Sequence, residues 1–116
     1  MIYVFIGIAG ALGAISRYSI GLLLFPIITF PYVTLFINLA GCYLLASILS
    51  SNKTIPENWR LAIGTGFLGS FTTFSTLSLE TVQLVDSGEV VQGILYILLS
   101  ILGGIVVSRL GWRAQQ

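Results

Sequence analysis

The stretch GTGFLGSFTTFSTLS, residues 64–78, decides how this chain folds. It combines three glycines with seven serines or threonines, residue types that form helices poorly or favour helix ends. Non-helical backbone at membrane depth is tolerated only where protein buries it or where it lines a cavity. A packing face of small residues is the alternative, but close packing does not need so many hydroxyls. The stretch therefore predicts a helix that is broken near mid-membrane, with freed carbonyl oxygens that suit a hard cation such as Na⁺.

The composition places this stretch in a membrane. The chain has 116 residues, of which 56% are hydrophobic and 8% charged, against about 25% charged in an ordinary soluble domain. This balance excludes a disordered tail, a nucleic-acid binder and a water-soluble globule. The chain has no histidine, and its single Cys42 allows no internal disulfide. Because it also lacks a nucleophile–base pair and a cluster of metal ligands, we expect no enzyme.

Four apolar runs follow one another, and each is long enough to cross a bilayer, which takes about 20 residues. Pro26, the polar turn at residues 50–53 and the acids at 86 and 89 separate the runs. The sequence predicts an all-α membrane protein with one domain over residues 1–116. Its spans are expected at about 2–25, 31–50, 55–85 and 89–110.

Two short patterns predict where helices begin. Thr54 and Glu57 have the T-x-x-E spacing of a capping box, with Pro56 placed inside the first turn. Asp86 and Glu89 repeat the same spacing before the fourth span.

The charges at the span ends are distributed unequally. With four spans, one side of the membrane receives all the flanking cations, namely Lys53, Arg60, Arg109 and Arg113. The opposite side receives only Asp86 and Glu89. The positive-inside rule therefore predicts that both termini lie in the cytoplasm, at the plasma membrane.

Two ionisable residues fall inside the apolar runs, where a charge is costly unless it is paired or hydrated. Arg17 either snorkels to the interface or lines a water-filled vestibule that attracts an anion. Glu80 either pairs with Arg17 or accepts hydrogen bonds at a helix break.

Neutral polar side chains mark two helix faces. Thr34 and Asn38 are four residues apart and share a face. The amide predicts either a hydrogen bond between helices or a donor that lines a pore. Tyr96, Ser100 and Gly104 repeat the same spacing in the fourth span, although a serine there often bonds back to the carbonyl four residues earlier.

Together these residues resemble the Fluc (CrcB) family of fluoride channels. The matching motifs are GxxGAxxRY at 10–18, TLxxNxxG at 34–41 and GxxGxxTTFST at 66–76. The resemblance extends over nearly the whole chain, and the third motif is the most specific.

The resemblance implies a passive, selective fluoride channel that exports the anion and limits its toxicity. It implies an antiparallel dimer with two pores and a structural, untransported Na⁺ held by the backbone carbonyls of Gly69 and Thr72. Arg17 would line a vestibule. The implied pore residues are Thr34, Asn38, Phe74, Ser75, Thr76, Tyr96 and Ser100.

Two positions depart from the family pattern. Leu77 stands where a second phenylalanine is usual, and Gly104 stands where a third hydroxyl is expected. The strong charge bias is also unusual, because many members insert in both orientations. The partner is therefore either a second copy of this chain or a homologous subunit that inserts the other way.

Two other functions fit the length and the span count. A small multidrug-type exporter needs a membrane-embedded carboxylate, typically in helix one, where this chain has Arg17 instead. A non-conducting membrane assembly subunit would explain the small-residue faces but leaves the motif at 72–76 without a role.

Overall fold

The part of the chain that the computed structural model describes, residues 1–24, 31–51, 53 and 55–116, is mostly helical. A π-helical segment (Ala62–Leu68) joins two of the helices, and no strand occurs among the described residues. The helices are α1 (Ile2–Leu24), α2 (Tyr32–Ser50), α3 (Glu57–Leu61), α4 (Gly69–Phe71), α5 (Phe74–Asp86) and α6 (Val90–Ala114).

Three helices are long and apolar enough to cross a bilayer by themselves, namely α1, α2 and α6. At a rise of about 1.5 Å per residue, each spans most of a hydrocarbon core of about 30 Å. The third crossing is built from shorter pieces, residues 57–86, that follow one another from α3 to α5. Large apolar side chains remain exposed along all of them, as expected for surfaces that face lipid. The predicted four-helix membrane fold is confirmed.

The third crossing is broken within the predicted stretch, at its threonines and not at its glycines. The helix stops at Phe71 and restarts at Phe74, and between them Thr72 and Thr73 are extended, with ψ angles of 154° and 121°. The glycine-rich part before the break stays wound as a π-helix, in which the Gly69 N–H reaches the Gly64 carbonyl five residues back. The glycine-rich segment is therefore wider than an α-helix but is not interrupted.

Close packing of α1 explains why glycines occupy that π-helical segment. α1 packs mainly on the segment, just as α2 packs mainly on α6. A Cβ at Gly66 would lie 2.7 Å from the Ile6 carbonyl oxygen, and one at Gly13 would overlap the Phe67 carbonyl. Only glycine permits this approach, which places α1 beside the break.

Several predicted helix ends need correction. Pro56 precedes the first residue of α3 and makes no side-chain cap, while Thr54 lies outside the described residues. Asp86 ends α5, and Glu89 precedes α6 without a side-chain cap, so the second cap-like spacing was wrong. α6 continues to Ala114, four residues beyond the predicted end at 110, because neither Gly111 nor Arg113 stops a helix that packs against α2. Residue 25, the predicted end of the first span, lies outside the described residues.

Candidate functional site

The break in the third crossing is held by one side chain from a neighbouring helix. Asn38 on α2 donates from Nδ2 to the Thr73 carbonyl oxygen at 3.0 Å. The Thr73 N–H donates to Asn38 Oδ1 at 2.8 Å. Both backbone groups of the extended residue thereby have a hydrogen-bond partner. The sequence left open a hydrogen bond between elements and a pore-lining donor, and the first is present; the amide retains a second N–H.

This pairing changes which carbonyl oxygens of the helix are occupied. In a continuous α-helix the N–H of Thr73 would bind the Gly69 carbonyl, and that of Thr76 would bind the Thr72 carbonyl. Here Thr73 donates to Asn38, and Thr76 donates to Thr73 Oγ1 at 3.2 Å. The carbonyls of Gly69 and Thr72 are therefore relieved of these helical donors. They are the two oxygens that the resemblance assigns to a cation.

Arg17 reaches the same break from α1. Its Nε donates to the Ser70 carbonyl oxygen at 3.3 Å, at the end of α4. A cation at a helix C-terminus is favoured because the unpaired carbonyls there carry partial negative charge. The side chain is half-buried, so it lies at the break and is not fully withdrawn from solvent. Its predicted role in a vestibule stays a prediction.

A second polar cluster forms around Glu80, about two helical turns beyond the break. Thr34 Oγ1 donates to Glu80 Oε1 at 2.8 Å, and the Tyr96 hydroxyl donates to Oε2 at 2.6 Å. Thr34 and Tyr96 are buried, with 8% and 0% of their surface exposed. The cluster joins α2, α5 and α6 by charge-assisted hydrogen bonds. Glu80 thus takes neither of the two roles expected for it, since its partners are two hydroxyls.

The spacing of polar residues in the sequence contains a signal for this cluster. Thr34 lies one turn before Asn38, and Glu80 lies two turns after Thr73. Because Asn38 contacts Thr73, a face that continues along both helices brings Thr34 towards Glu80. Pairing the two faces required knowing that α2 and α5 run in opposite directions.

The start of α5 presents an aromatic ring and a group of hydroxyls. Phe74 is 80% exposed, so its ring projects from the surface of the chain. Ser75 Oγ and Thr76 Oγ1 each lie 3.2 Å from Thr73 Oγ1. Thr73 caps α5 and links both hydroxyls to the break, a function that the sequence analysis missed although the residue stands in the quoted motif.

The predicted polar side chains of α6 lie close to this site, but their hydroxyl protons are donated to other groups of the protein. Ser100 Oγ donates to the Tyr96 carbonyl oxygen at 2.7 Å. At Gly104 a Cβ would lie 3.9 Å from Cys42 Sγ, so a thiol stands next to the missing hydroxyl. Leu77 is half-buried in α5. The structure therefore brings Asn38, Phe74, Ser75 and Thr76 together at one level, and Thr34 and Tyr96 at a second.

The chain matches one protein-family model over residues 4–112, described as CrcB-like protein, Camphor Resistance (CrcB). It is also similar to curated proteins over nearly its full length. A protein of Bacillus thuringiensis subsp. konkukian named Fluoride-specific ion channel FluC 1 is 51% identical, covering 97% of this chain and 85% of the relative.

Two relatives from other genera have names with the numeral 2. Fluoride-specific ion channel FluC 2 of Listeria innocua is 46% identical, covering 97% of this chain and 89% of the relative. Fluoride-specific ion channel FluC 2 of Moorella thermoacetica is 40% identical, covering 98% of this chain and 96% of the relative. The alignments therefore include most of each relative.

Proposed function

The chain belongs to the CrcB-like family, and we propose that it forms a channel that lets fluoride leave the cytoplasm passively. The observation that supports this most directly is the helix break that Asn38 holds open in the third crossing. Hydroxyls, an amide and an exposed aromatic ring surround the break, and neutral donors of this kind suit a small anion.

Fluoride is strongly hydrated, so a selective path must replace its water with several donors at once. The second N–H of Asn38, the hydroxyls of Ser75 and Thr76 and the electropositive ring edge of Phe74 are such donors. Conduction also requires that no single site hold the ion too tightly. A row of neutral donors meets that condition better than a series of buried cations.

A structural Na⁺ fits the carbonyl oxygens at the break, because hard cations prefer oxygen ligands. Gly69 and Thr72 would hold it, and it would supply a positive charge that fixes the break. Gly69 is exposed, and two carbonyls of one chain are too few to replace a hydration shell. Four carbonyls from two chains in an antiparallel dimer would complete the site. The exposed Phe74 would then project into the partner.

The partner in this proposal is a homologous subunit inserted the other way. All the cations that flank the spans of this chain lie at one end, where Lys53 and Arg109 are exposed. The other end holds only Asp86 and Glu89. This bias opposes dual insertion of one chain. A homologue with the opposite bias in its loops inserts the other way by the same rule, and the cations of both subunits then lie on the cytoplasmic side.

The deciding experiment is fluoride efflux from liposomes that contain the purified chain, recorded with a fluoride electrode. We expect rapid fluoride efflux and no chloride efflux once the complete dimer is present. Efflux of neither ion, together with uptake of a cationic dye driven by a proton gradient, would instead identify a multidrug-type exporter. No transport of any kind by the complete dimer would identify an assembly subunit.

The same assay separates the two kinds of dimer. The inverted-partner proposal predicts little efflux from this chain alone and full efflux after coexpression with an oppositely biased homologue. Robust efflux by the pure single chain would refute the obligate heterodimer while leaving the fluoride channel intact.

A further inference from the structure

The groove between α2 and α6 continues the polar row of the fourth span. Its volume is about 530 Å³. Gly104, which lines the groove, stands four residues after Ser100 and shares its face of α6. The groove therefore extends the proposed fluoride path towards the C-terminal end of α6. It is also lined by Cys42 and Ala46 of α2 and by Ser108, Arg109 and Trp112 of α6.

Hydrogen-bond donors for an anion become fewer and weaker along this part of the path. Gly104 has no side chain, and a Cβ there would lie 3.9 Å from Cys42 Sγ. A thiol is a weak donor, and the exposed Ile101 and Ile105 add none. A strongly hydrated anion that enters from this end therefore meets few groups that replace its water.

A cation stands at the end of the groove. Among the described residues that line the groove, Arg109 alone is charged. It lies five residues after Gly104, so α6 rises by about 8 Å between them. Trp112 lines the same end, and Trp and Arg at the end of a span are typical of the membrane–water interface. Arg109 is exposed, so its charge is hydrated and lies at the mouth of the groove.

The charge of Arg109 is not balanced by the acids of the chain. Glu80 accepts hydrogen bonds within the second polar cluster, and Asp86 and Glu89 lie before α6, at the opposite end of that helix. Glu57, the fourth acid, lines a different groove, beside α3. A cleft with low-dielectric walls and one sign of charge raises the local concentration of counter-ions. The end of this groove therefore attracts small anions.

We propose that Arg109 collects fluoride at one mouth of the path, so that it sets how fast the anion enters. This inference rests on the proposed fluoride channel. The positive-inside bias places Arg109 on the cytoplasmic side, from which fluoride leaves. Because the guanidinium lies beyond the row of neutral donors, it speeds entry without creating a site that holds the ion too tightly for conduction.

The test is the single-channel fluoride current of the complete dimer in a planar bilayer, with the substitution made in this chain. At low fluoride and low ionic strength Arg109→Gln should lower the current about fivefold, the local enrichment that a unit charge about 4 Å from the anion gives in water. If the partner provides an equal path that Arg109 does not influence, the total current should still fall by about 40%. The loss should disappear in about 1 M potassium gluconate at constant Na⁺, where the Debye length is about 3 Å. A structural role of Arg109 would instead lower the current at both ionic strengths.

Three further variants separate the charge from its surroundings. Arg109→Lys keeps the charge and should keep most of the current, whereas Arg109→Glu should lower the current further than Arg109→Gln. Arg113→Gln is the matched control, at the same end of the same helix but outside the lining of the groove, and should lower the current clearly less.

Equal losses in Arg109→Gln and Arg113→Gln, or a loss that persists in concentrated salt, would overturn the proposal. A fluoride current that Arg109→Gln leaves unchanged would overturn it while leaving the fluoride channel intact. The absence of any fluoride current in the wild-type dimer would overturn the proposed function and this inference together.

Discussion

α6 and the third crossing contain similar residues, but the backbone of α6 is a continuous helix and that of the third crossing is broken. α6 runs unbroken for 25 residues through Ser100, Gly103 and Gly104. The third crossing, with its own glycines and hydroxyls, is interrupted at Thr72 and Thr73. In α6 the hydroxyl of Ser100 bonds back to the Tyr96 carbonyl, within an intact helix. At the break, Thr73 Oγ1 accepts the N–H of Thr76 and begins a new helix.

The difference shows that composition alone does not break a membrane helix. An unsatisfied backbone group in hydrocarbon costs several kcal/mol. Asn38 satisfies both groups of Thr73 from outside the crossing, and no such amide faces Ser100 among the hydrogen bonds of the described residues. The break therefore belongs to a pair of elements, α2 and the third crossing, and substitutions on either side of the pair can test it.

Asn38→Asp should have the largest effect, because it weakens the hydrogen bonds to Thr73 and also places a negative charge on the proposed fluoride path. A carboxylate still accepts from the Thr73 N–H but no longer donates to the Thr73 carbonyl. Two like charges about 4 Å apart repel by about 4 kcal/mol at an effective dielectric constant of 20, which slows fluoride roughly 1,000-fold. Fluoride efflux from liposomes should fall to the background rate.

Asn58→Asp is the matched control for this change, since Asn58 is exposed on α3 and far along the chain from the break. It should leave efflux unchanged. Wild-type efflux from Asn38→Asp would remove Asn38 from the fluoride path.

Phe74→Ile should reduce fluoride efflux about tenfold, the upper end of what an aromatic contact contributes. The ring is 80% exposed, so its loss removes little packing within the chain and folding should be unaffected. Phe36→Ile is a suitable control because Phe36 is 67% exposed on α2. If both variants conduct fluoride like the wild type, the exposed ring of Phe74 has no role in conduction.

Replacing Na⁺ with the larger N-methylglucamine cation tests the carbonyls of Gly69 and Thr72. A ligand present at 100 times its Kd stabilises the state that binds it by about 2.7 kcal/mol. The melting temperature of the detergent-solubilised dimer should therefore fall on removal of Na⁺ and recover on its return, at constant ionic strength. Identical melting curves in the two salts would contradict a Na⁺ site at the break.

The smallest expected effect comes from comparing the hydroxyl of Thr73, which caps α5, with that of Ser100, which bonds back within α6. Thr73→Ala removes an N-cap and should reduce the free energy of unfolding by about 1 kcal/mol. Ser100→Ala removes only a bond back to its own helix and should change it by less than about 0.5 kcal/mol. Unfolding in mixed micelles by denaturant titration measures both. Equal losses would show that the break gains nothing from the cap.

The main features of the fold could be predicted from the sequence because they depend on hydrophobicity and spacing. Three spans appear within a few residues of their expected bounds, and the broken third crossing is present. Within residues 64–78 the sequence did not distinguish glycines from threonines as the place of the break, since propensity does not register that α1 packs on the π-helical segment. The predicted cap at residues 86–89 was wrong because Asp86 is still part of α5, and α6 begins after Glu89 without a side-chain cap.

The residues of the candidate site could be predicted from the sequence, but their hydrogen-bond partners could not. Thr34, Asn38 and Tyr96 were identified by their spacing or by resemblance, while Thr73 and Glu80 as their partners were not. Hydrogen-bond partners 35 and 46 residues apart in the chain depend on how helices are placed, which no local pattern records.

The sequence by itself determined that the chain lies in a membrane and crosses it four times. It also determined that the third crossing contains the stretch rich in serine and threonine at residues 64–78. These properties follow from transfer of side chains and backbone into hydrocarbon, a cost that each segment meets on its own. Only the tertiary structure decided where the third crossing breaks. A free backbone group at membrane depth needs a partner, and here that partner comes from another helix, as the amide of Asn38.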